Sequence, residues 1–168
     1  MSHEAAVTRA AFLQAMAHAV TGVQIVTTDG SAGRFAVTTS TMSSVSADPP
    51  MLLVCIAKRS PVCQAILEHK AFCLNVLSAD QHHISDVFAG RSRTFRPYDL
   101  CSAEWSVQST GGLRLVGAAA SFDCSLWAAH EAGSHYVFIG RVLTACDDDR
   151  APLLYTASSY GQPDLFVA

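Results

Sequence analysis

The sequence lacks the short motifs that mark several common catalytic and metal-binding folds. Its six cysteines are widely spaced and form no CxxC pair, which excludes a zinc knuckle and a thioredoxin-like motif. No GxGxxG, GxxxxGK[ST] or GxSxG pattern occurs, so no dinucleotide fingerprint, phosphate-binding loop or serine-hydrolase elbow is predicted. No spacing of carboxylates and histidines predicts a metal site.

Charge is scarce, and no basic stripe is present. Only 15% of the 168 residues are charged, 50% are hydrophobic, and the formal net charge is −3. Without a basic surface to meet phosphates, we expect no nucleic-acid partner. The low charge fraction leaves little polar surface for a small monomer, and we expect a homodimer that covers part of the apolar remainder.

Long apolar runs are also missing. No run approaches the length that crosses a bilayer, and the N-terminus has neither the basic start nor the apolar core of a signal peptide. We therefore expect no membrane association and a cytoplasmic location, where the cysteines stay reduced.

The pattern of apolar residues predicts many strands and few helices. A helix is predicted over residues 8–20, with Thr8 as its N-cap and Gly22 as the glycine that terminates it. Its apolar face consists of Phe12, Leu13, Met16 and Val20. Two further helices are predicted over residues 61–69 and from Ser78 or Asp80 to about residue 88. Strands are predicted over residues 23–28, 35–41, 51–57, 72–77, 118–129, 134–145 and 152–155, and residues 91–113 form a loop with short pieces of structure.

This order of elements predicts an antiparallel fold. Strands that follow one another through short turns pair antiparallel, and a closed or partly closed barrel removes their free edges. We expect a mainly β, closed or partly closed barrel with flanking helices, as one domain over residues 1–168 with its core over about 8–160.

A hydroxyl-rich segment precedes the most apolar predicted strand. Seven of the nine residues from 38 to 46 are Ser or Thr, and none is charged. Such a stretch can offer neutral hydrogen-bonding groups to one ligand, or it can be an edge strand that binds nothing.

Ten short segments then stand in a distinctive order. They are residues 12–16 (FLQAM), 21–27 (TGVQIVT), 38–50, 55–60 (CIAKRS), 72–77 (FCLNVL), 88–90 (FAG), 120–124 (ASFDC), 133–135 (GSH), 139–142 (IGRV) and 152–155 (PLLY), followed by Tyr160. This series resembles the short-chain flavin reductases over about residues 12–160. The family comprises the NAD(P)H-dependent partners of two-component flavin monooxygenases and has the FMN-binding split-barrel fold. One departure is Ala36, which stands where the family usually has glycine before the Thr-rich strand.

The resemblance implies hydride transfer from NADH or NADPH to free FMN or FAD, with the reduced flavin passed to a separate monooxygenase. No cluster of arginines for a 2′-phosphate is visible, which favours NADH. A flavin-binding module without turnover, serving storage or sensing, remains an alternative. An oxidase like the pyridoxine-phosphate oxidases is another, although it needs a more basic phosphate pocket.

The resemblance also implies the site residues. His135 is the expected catalytic residue, which meets the nicotinamide and orients it. The expected flavin-binding residues are Thr38, Thr39, Ser40, Thr41, Ser44, Cys55, Lys58, Ser60, Tyr155 and Tyr160, with no metal. Among these, Lys58 and Ser60 are the expected phosphate anchors, with Arg59 as a substitute for Lys58. Plain structural explanations stay open: cross-strand hydroxyl contacts for the threonines, a solvated turn for Lys58 and core packing for Tyr155.

Overall fold

The computed structural model describes residues 6–166, and three helices and twelve strands lie within that range. The helices are α1 (Arg9–Met16), α2 (Pro61–His69) and α3 (His82–Phe88), with 3-10 turns at Ala79–Gln81 and Leu100–Ser102. The strands are β1 (Thr21–Gly22), β2 (Gln24–Gly30), β3 (Gly33–Thr39), β4 (Met42–Ala47), β5 (Pro50–Ala57), β6 (Ala71–Val76), β7 (Trp105–Val107), β8 (Leu113–Leu115), β9 (Ala120–Ala132), β10 (His135–Asp147), β11 (Leu154–Thr156) and β12 (Ser159–Gly161).

Seven of these strands form one antiparallel sheet in the order β3-β2-β6-β9-β10-β5-β4. The hairpin between β2 and β3 is tight because Gly33 has a φ of 111°, which only glycine adopts without steric cost. β3 and β5 are distant in the sheet order, yet they meet where Thr39 Oγ1 donates to the Cys55 carbonyl oxygen over 3.3 Å. The sheet therefore curls, and the prediction of an antiparallel, mainly β fold is confirmed.

The sheet is buried on both faces along β2, because successive side chains of a strand point to opposite sides. Val26 joins one apolar cluster, which includes Ile66 of α2. Ile25 joins the other, which includes Phe88 of α3. The two helices thus cover opposite faces of the same strand, and this arrangement places the start of α2 and the end of α3 close to β3.

The irregular segment between α3 and β9 is held by buried polar side chains. Asn75 accepts hydrogen bonds from Leu115 N over 2.8 Å and from Ser121 Oγ over 2.9 Å. Thr27 Oγ1 donates to the Leu113 carbonyl over 2.7 Å. Because a buried polar group that lacks a partner is costly, these bonds determine where β8 can lie.

The first helix differs from its prediction. It begins after Thr8, whose hydroxyl accepts a hydrogen bond from Ala11 N as expected for an N-cap, but it ends at Met16. Gly22 does not end it, since Gly22 belongs to β1 and pairs with Leu154. The predicted apolar face is present but not buried within the chain: Phe12, Leu13, Met16 and Val20 are all exposed.

Two smaller points also concern predicted elements. Ser78, one of the two predicted caps, forms a capping box with Gln81, but α3 follows only after a 3-10 turn. The hydroxyl-rich segment forms the end of β3 and the strand β4, which lies at the sheet edge beside β5. β4 was not predicted as a separate strand.

No helix within the described residues is long and apolar enough to cross a membrane. The six cysteines are free thiols, of which Cys63, Cys73 and Cys124 are buried and Cys101 is exposed.

Candidate functional site

A cavity of about 300 Å³ opens between the end of β3, the end of β5, the start of β10 and the C-terminal strands. The curl of the sheet creates it, because β3 and β5 approach there without pairing along their length. Nine of the predicted site residues line it: Thr38, Thr39, Ser40, Thr41, Cys55, Ser60, His135, Tyr155 and Tyr160.

The threonine hydroxyls in this wall are already engaged with the protein. Thr38 Oγ1 donates to the Ser85 carbonyl over 2.7 Å. Thr39 Oγ1 and Thr41 Oγ1 lie within 3.3 and 3.1 Å of the Cys55 carbonyl, while Cys55 N donates to Thr41 Oγ1 over 2.9 Å. Thr39 Oγ1 also accepts from Thr41 N over 3.3 Å and lies 2.9 Å from Thr41 Oγ1, so each of these two hydroxyls has at most one lone pair left for a ligand. The cross-strand explanation and a ligand contact are therefore compatible.

Ser60 marks the corner between β5 and α2. It is the N-cap of α2, its side chain makes no capping bond, and Pro61 occupies the first helical position. Ser60 N donates to the Ala57 carbonyl over 2.9 Å, Cys63 N donates to the Ser60 carbonyl over 3.0 Å, and Pro61 has no N–H, so the helix start acts on an anion mainly through the helix dipole. Ser60 therefore adds a hydroxyl to a helix start that favours an anion.

His135 begins β10, directly opposite Ala57 at the end of β5. Ser134 Oγ lies 2.9 Å from its Nδ1. Within residues 6–166 the other ring nitrogen, Nε2, has no hydrogen-bond partner, and the side chain is exposed at the cavity wall. His135 can therefore hold a polar group of a ligand that enters the cavity mouth.

Lys58 and Ser44 are placed away from the other predicted residues. Lys58 Nζ lies 2.6 Å from Glu131 Oε2 and sits 5.5 Å from the centre of the Tyr136 ring, outside the cavity lining. The hydrogen bond from Lys58 is the main cause that lowers the pKa of Glu131. Ser44 is exposed on β4, also outside the lining. Their predicted roles are thus separated in space from the nine residues above.

A polar network beside the threonine wall was not predicted. Arg91 donates to the Tyr160 hydroxyl over 2.8 Å and pairs with Asp86 at 3.3 Å. The same hydroxyl lies 2.7 Å from Asp86 Oδ1 and 3.0 Å from Ser85 Oγ. Partial burial raises the pKa of Tyr160 above its ordinary 10.0, so the phenol is neutral near pH 7. Arg91 and Ser85 both line the cavity, and Arg91 is its one arginine or lysine among the described residues.

A sequence profile of the Flavin reductase like domain matches residues 16–164. The chain belongs to this family of flavin reductases. FMN reductase (NADH) RutF of Pantoea ananatis is 34% identical over 158 residues, which cover 94% of this chain and 82% of that relative. BorF, the flavin reductase component of a bacterial two-component tryptophan halogenase, is similar in structure, with a TM-score of 0.82 at 34% identity. The match covers 94% of this chain and 100% of the BorF chain. The NADH:FAD oxidoreductase SgcE6 of Streptomyces globisporus has a TM-score of 0.84 at 25% identity. That match covers 98% of this chain and 99% of the SgcE6 chain. The family and fold implied by the sequence motifs are confirmed.

The cavity offers both apolar and polar surface to a ligand. Val37 and Ile56 supply apolar side chains, and the rings of Tyr155 and Tyr160 lie with their centres 5.4 Å apart. The hydroxyl wall consists of Thr38, Thr39, Ser40 and Thr41. Within residues 6–166, no group of three or more His, Cys, Asp or Glu side chains could hold a metal ion.

Two cavity-lining residues that were not predicted, Arg91 and Ser85, had only weak signals in the sequence. Arg91 directly follows the segment 88–90 that helped to carry the resemblance, and this position was the available hint. Ser85 lies on the inner face of α3 and gave no signal of its own. Both are brought to the cavity by the packing of α3 against β3.

Proposed function

We propose that this flavin reductase oxidises NADH and reduces free FMN or FAD in the cavity between β3 and β5, releasing reduced flavin to a separate monooxygenase. The observation that carries the proposal is the cavity itself, which is lined by a row of hydroxyls, apolar side chains and two tyrosines. In the reaction a hydride leaves the nicotinamide and is accepted by the flavin, so the two cofactors carry the chemistry. The protein has to stack the rings, orient them and stabilise the anion that forms.

The flavin phosphate is assigned to the start of α2. Ser60 offers its hydroxyl, and the dipole of α2 favours an anion at this end of the helix. Arg59 is exposed beside it and makes no ion pair within the described residues, whereas Lys58 is engaged with Glu131. Between the two cations expected from the sequence, these contacts favour Arg59.

The flavin ring is assigned to the space between the hydroxyl wall and the tyrosines. The oxygen lone pairs of Thr38, Thr39 and Thr41 accept hydrogen bonds from polar N–H and O–H groups of the flavin, and Ser40 contributes a further hydroxyl. Arg91 lines the cavity but is paired with Asp86, so it offers guanidinium N–H groups to the flavin rather than an uncompensated charge.

The nicotinamide is assigned to the mouth of the cavity, beside His135. Its Nε2 faces no competing partner among the described residues, so it can bind the carboxamide and orient the ring for hydride transfer. This role is one of positioning and polar contact, and it needs no acid–base dyad or metal.

A homodimer is part of the proposal. An apolar row crosses the outer face of the sheet. Ile139 of β10 lies opposite Leu53 of β5 on one side and Ala128 of β9 on the other. Beside this row, Trp127 has no register partner on β10, because the pairing of β9 with β10 shifts by one residue there, and Trp127 is 62% exposed. A second copy that covers this face would bury the tryptophan. Sedimentation of wild type and of Trp127→Glu tests this, and a monomeric wild type would contradict it.

The experiment that tests the activity is NADH consumption with added FMN, FAD or riboflavin. Turnover that depends on added flavin supports a reductase with a diffusible flavin, and comparison with NADPH tests the preference for NADH. A flavin-bound protein that oxidises neither nicotinamide cofactor would contradict the proposal and favour a binding module.

A further inference from the structure

The cavity assigned to the flavin has one permanent charge in its walls, and that charge is compensated from outside. Among the described residues that line the cavity, Arg91 is the one arginine or lysine, and none is an aspartate or glutamate. The Arg91 guanidinium donates from Nε and from Nη2 to Asp86 Oδ1, each over 3.3 Å. Asp86 lines a neighbouring cavity of about 290 Å³ and not the flavin cavity. A carboxylate behind the wall therefore cancels the charge of the cation in the wall.

Asp86 holds Arg91 through both its backbone and its side chain. The Asp86 carbonyl oxygen accepts from Arg91 N over 2.8 Å and from Ser92 N over 3.0 Å, where the chain leaves α3. The Asp86 carboxylate also lies 2.7 Å from the Tyr160 hydroxyl, which itself accepts from Arg91 over 2.8 Å. Three groups thus close a ring of hydrogen bonds. Asp86 fixes where the Arg91 guanidinium stands as well as the net charge it presents.

The charge of the wall matters because the reaction changes the charge of the flavin. A hydride carries two electrons, so the neutral oxidised ring that accepts it becomes an anion, while the nicotinamide becomes a cation. An uncompensated guanidinium attracts the anion and leaves the neutral ring almost unaffected. Such a site would hold the reduced flavin more tightly than the oxidised flavin. A compensated pair attracts both forms to a similar extent, so the product can leave.

We propose that Asp86 sets the ratio between the affinities for reduced and oxidised flavin, by compensating Arg91, and so favours release of the reduced flavin. Asp86 is a positioning residue, since it acts through Arg91 and Tyr160 and does not line the flavin cavity. The inference rests on the proposed function, because it requires a flavin in this cavity.

The test measures the midpoint potential of bound FMN and the affinities for oxidised and dithionite-reduced FMN, in wild type and in Asp86→Asn. The amide keeps an oxygen that accepts from Tyr160 and Arg91, and it removes the charge. We expect the affinity for reduced FMN to rise about three- to tenfold relative to that for oxidised FMN. The midpoint potential should then rise by about 15–30 mV, because tenfold corresponds to about 30 mV for two electrons. The effect is modest because the side chains of Arg91 and Asp86 are 52% and 35% exposed, and added salt should reduce it.

A second variant keeps the test decisive if Asp86→Asn folds poorly. Arg91→Gln leaves the carboxylate uncompensated, so the midpoint potential should fall below that of wild type. The double variant, Asp86→Asn with Arg91→Gln, should return close to the wild-type value because neither charge remains. All measurements are made at pH about 8, where an ordinary histidine is neutral and adds no charge to the wall.

The matched control is Asp148→Asn, which removes a carboxylate paired with Arg114 at 2.9 Å, away from the flavin cavity. Its midpoint potential should equal that of wild type. The inference is overturned if Asp86→Asn behaves like this control, or if it weakens both forms of FMN equally, which would indicate a structural role alone. The flavin is reduced chemically, so a protein that shows the expected shift but oxidises no NADH would overturn the proposed function alone. A protein that binds no flavin would overturn both.

Discussion

Arg91 and Tyr160 meet across the cavity wall, where the guanidinium donates to the phenol oxygen over 2.8 Å. Arg91 follows α3 and Tyr160 lies on β12, so this contact joins two segments 69 residues apart. Asp86 lies within hydrogen-bonding reach of both. The position of the C-terminal strand over the cavity thus depends on a polar network as well as on apolar packing.

Removing the Tyr160 hydroxyl should loosen this wall. We expect Tyr160→Phe to lower the free energy of unfolding by about 1 kcal/mol, because a partly buried hydrogen-bonded network loses its central group. Urea unfolding measures the change. Tyr155→Phe is the matched control, because the Tyr155 hydroxyl makes no hydrogen bond within residues 6–166. Equal losses in both variants would show that the network contributes nothing specific.

Replacing His135 should affect the nicotinamide and spare the flavin. We expect His135→Ala to raise the KM for NADH about fivefold, as for one lost hydrogen bond, with flavin affinity unchanged. Steady-state kinetics measure the KM for NADH, and titration with flavin measures the flavin affinity. His130→Ala is the control, since His130 is exposed on β9 and does not line the cavity. Wild-type kinetics for NADH in His135→Ala would refute the assigned role.

Two neighbouring cations can be compared for the flavin phosphate. We expect Arg59→Ala to weaken FMN binding about tenfold while riboflavin, which has no phosphate, binds as before. Lys58→Ala should change FMN binding less, because Lys58 is paired with Glu131. Titration of both variants with both ligands measures this. The reverse order of effects would return the phosphate role to Lys58.

The glycine of the IGRV segment should not tolerate a side chain. A Cβ on Gly140 would lie 2.6 Å from Phe72 Cζ and 2.9 Å from Cys124 Cβ, inside the core. We expect Gly140→Ala to lower the free energy of unfolding by about 1–3 kcal/mol, the usual cost of overpacking. Gly161→Ala, with no atom within 4 Å of the added Cβ, should be nearly neutral in the same denaturation experiment. Similar stability of the two variants would show that the core adjusts at Gly140.

Stability should fall in alkali. Burial raises the pKa of Cys124 from 9.0 to about 12 and also raises the pKa of Cys73, so both thiols keep their protons in the folded chain. Above pH 9.0 the unfolded chain releases these protons first, and unfolding is favoured by up to about 1.4 kcal/mol per pH unit for each group. Urea unfolding under reducing conditions at neutral pH and at pH about 10 measures the loss. Cys124→Ala should reduce the slope, whereas Cys101→Ala, at an exposed position, should leave it unchanged.

The strands and the family could be read from the sequence because both depend on local patterns. Alternation and apolar runs predicted β2, β5 and β6 closely, and Pro61 marked the start of α2. The ordered segments from FLQAM to PLLY identified the flavin reductases, and nine of the eleven expected site residues line one cavity. Neighbouring residues carry these signals, so no knowledge of distant contacts is needed.

Tertiary structure alone decided which partners the side chains find. The hairpin between β9 and β10 brings Glu131 to Lys58, and the paired lysine lies outside the cavity lining. The packing of α3 against β3 brings Ser85 and Arg91 into the cavity, although neither carried a clear signal in the sequence. The apolar face of α1 remains exposed because no element of the described chain covers it. Each outcome depends on contacts between residues far apart in sequence, and local pattern does not encode which of the possible contacts forms.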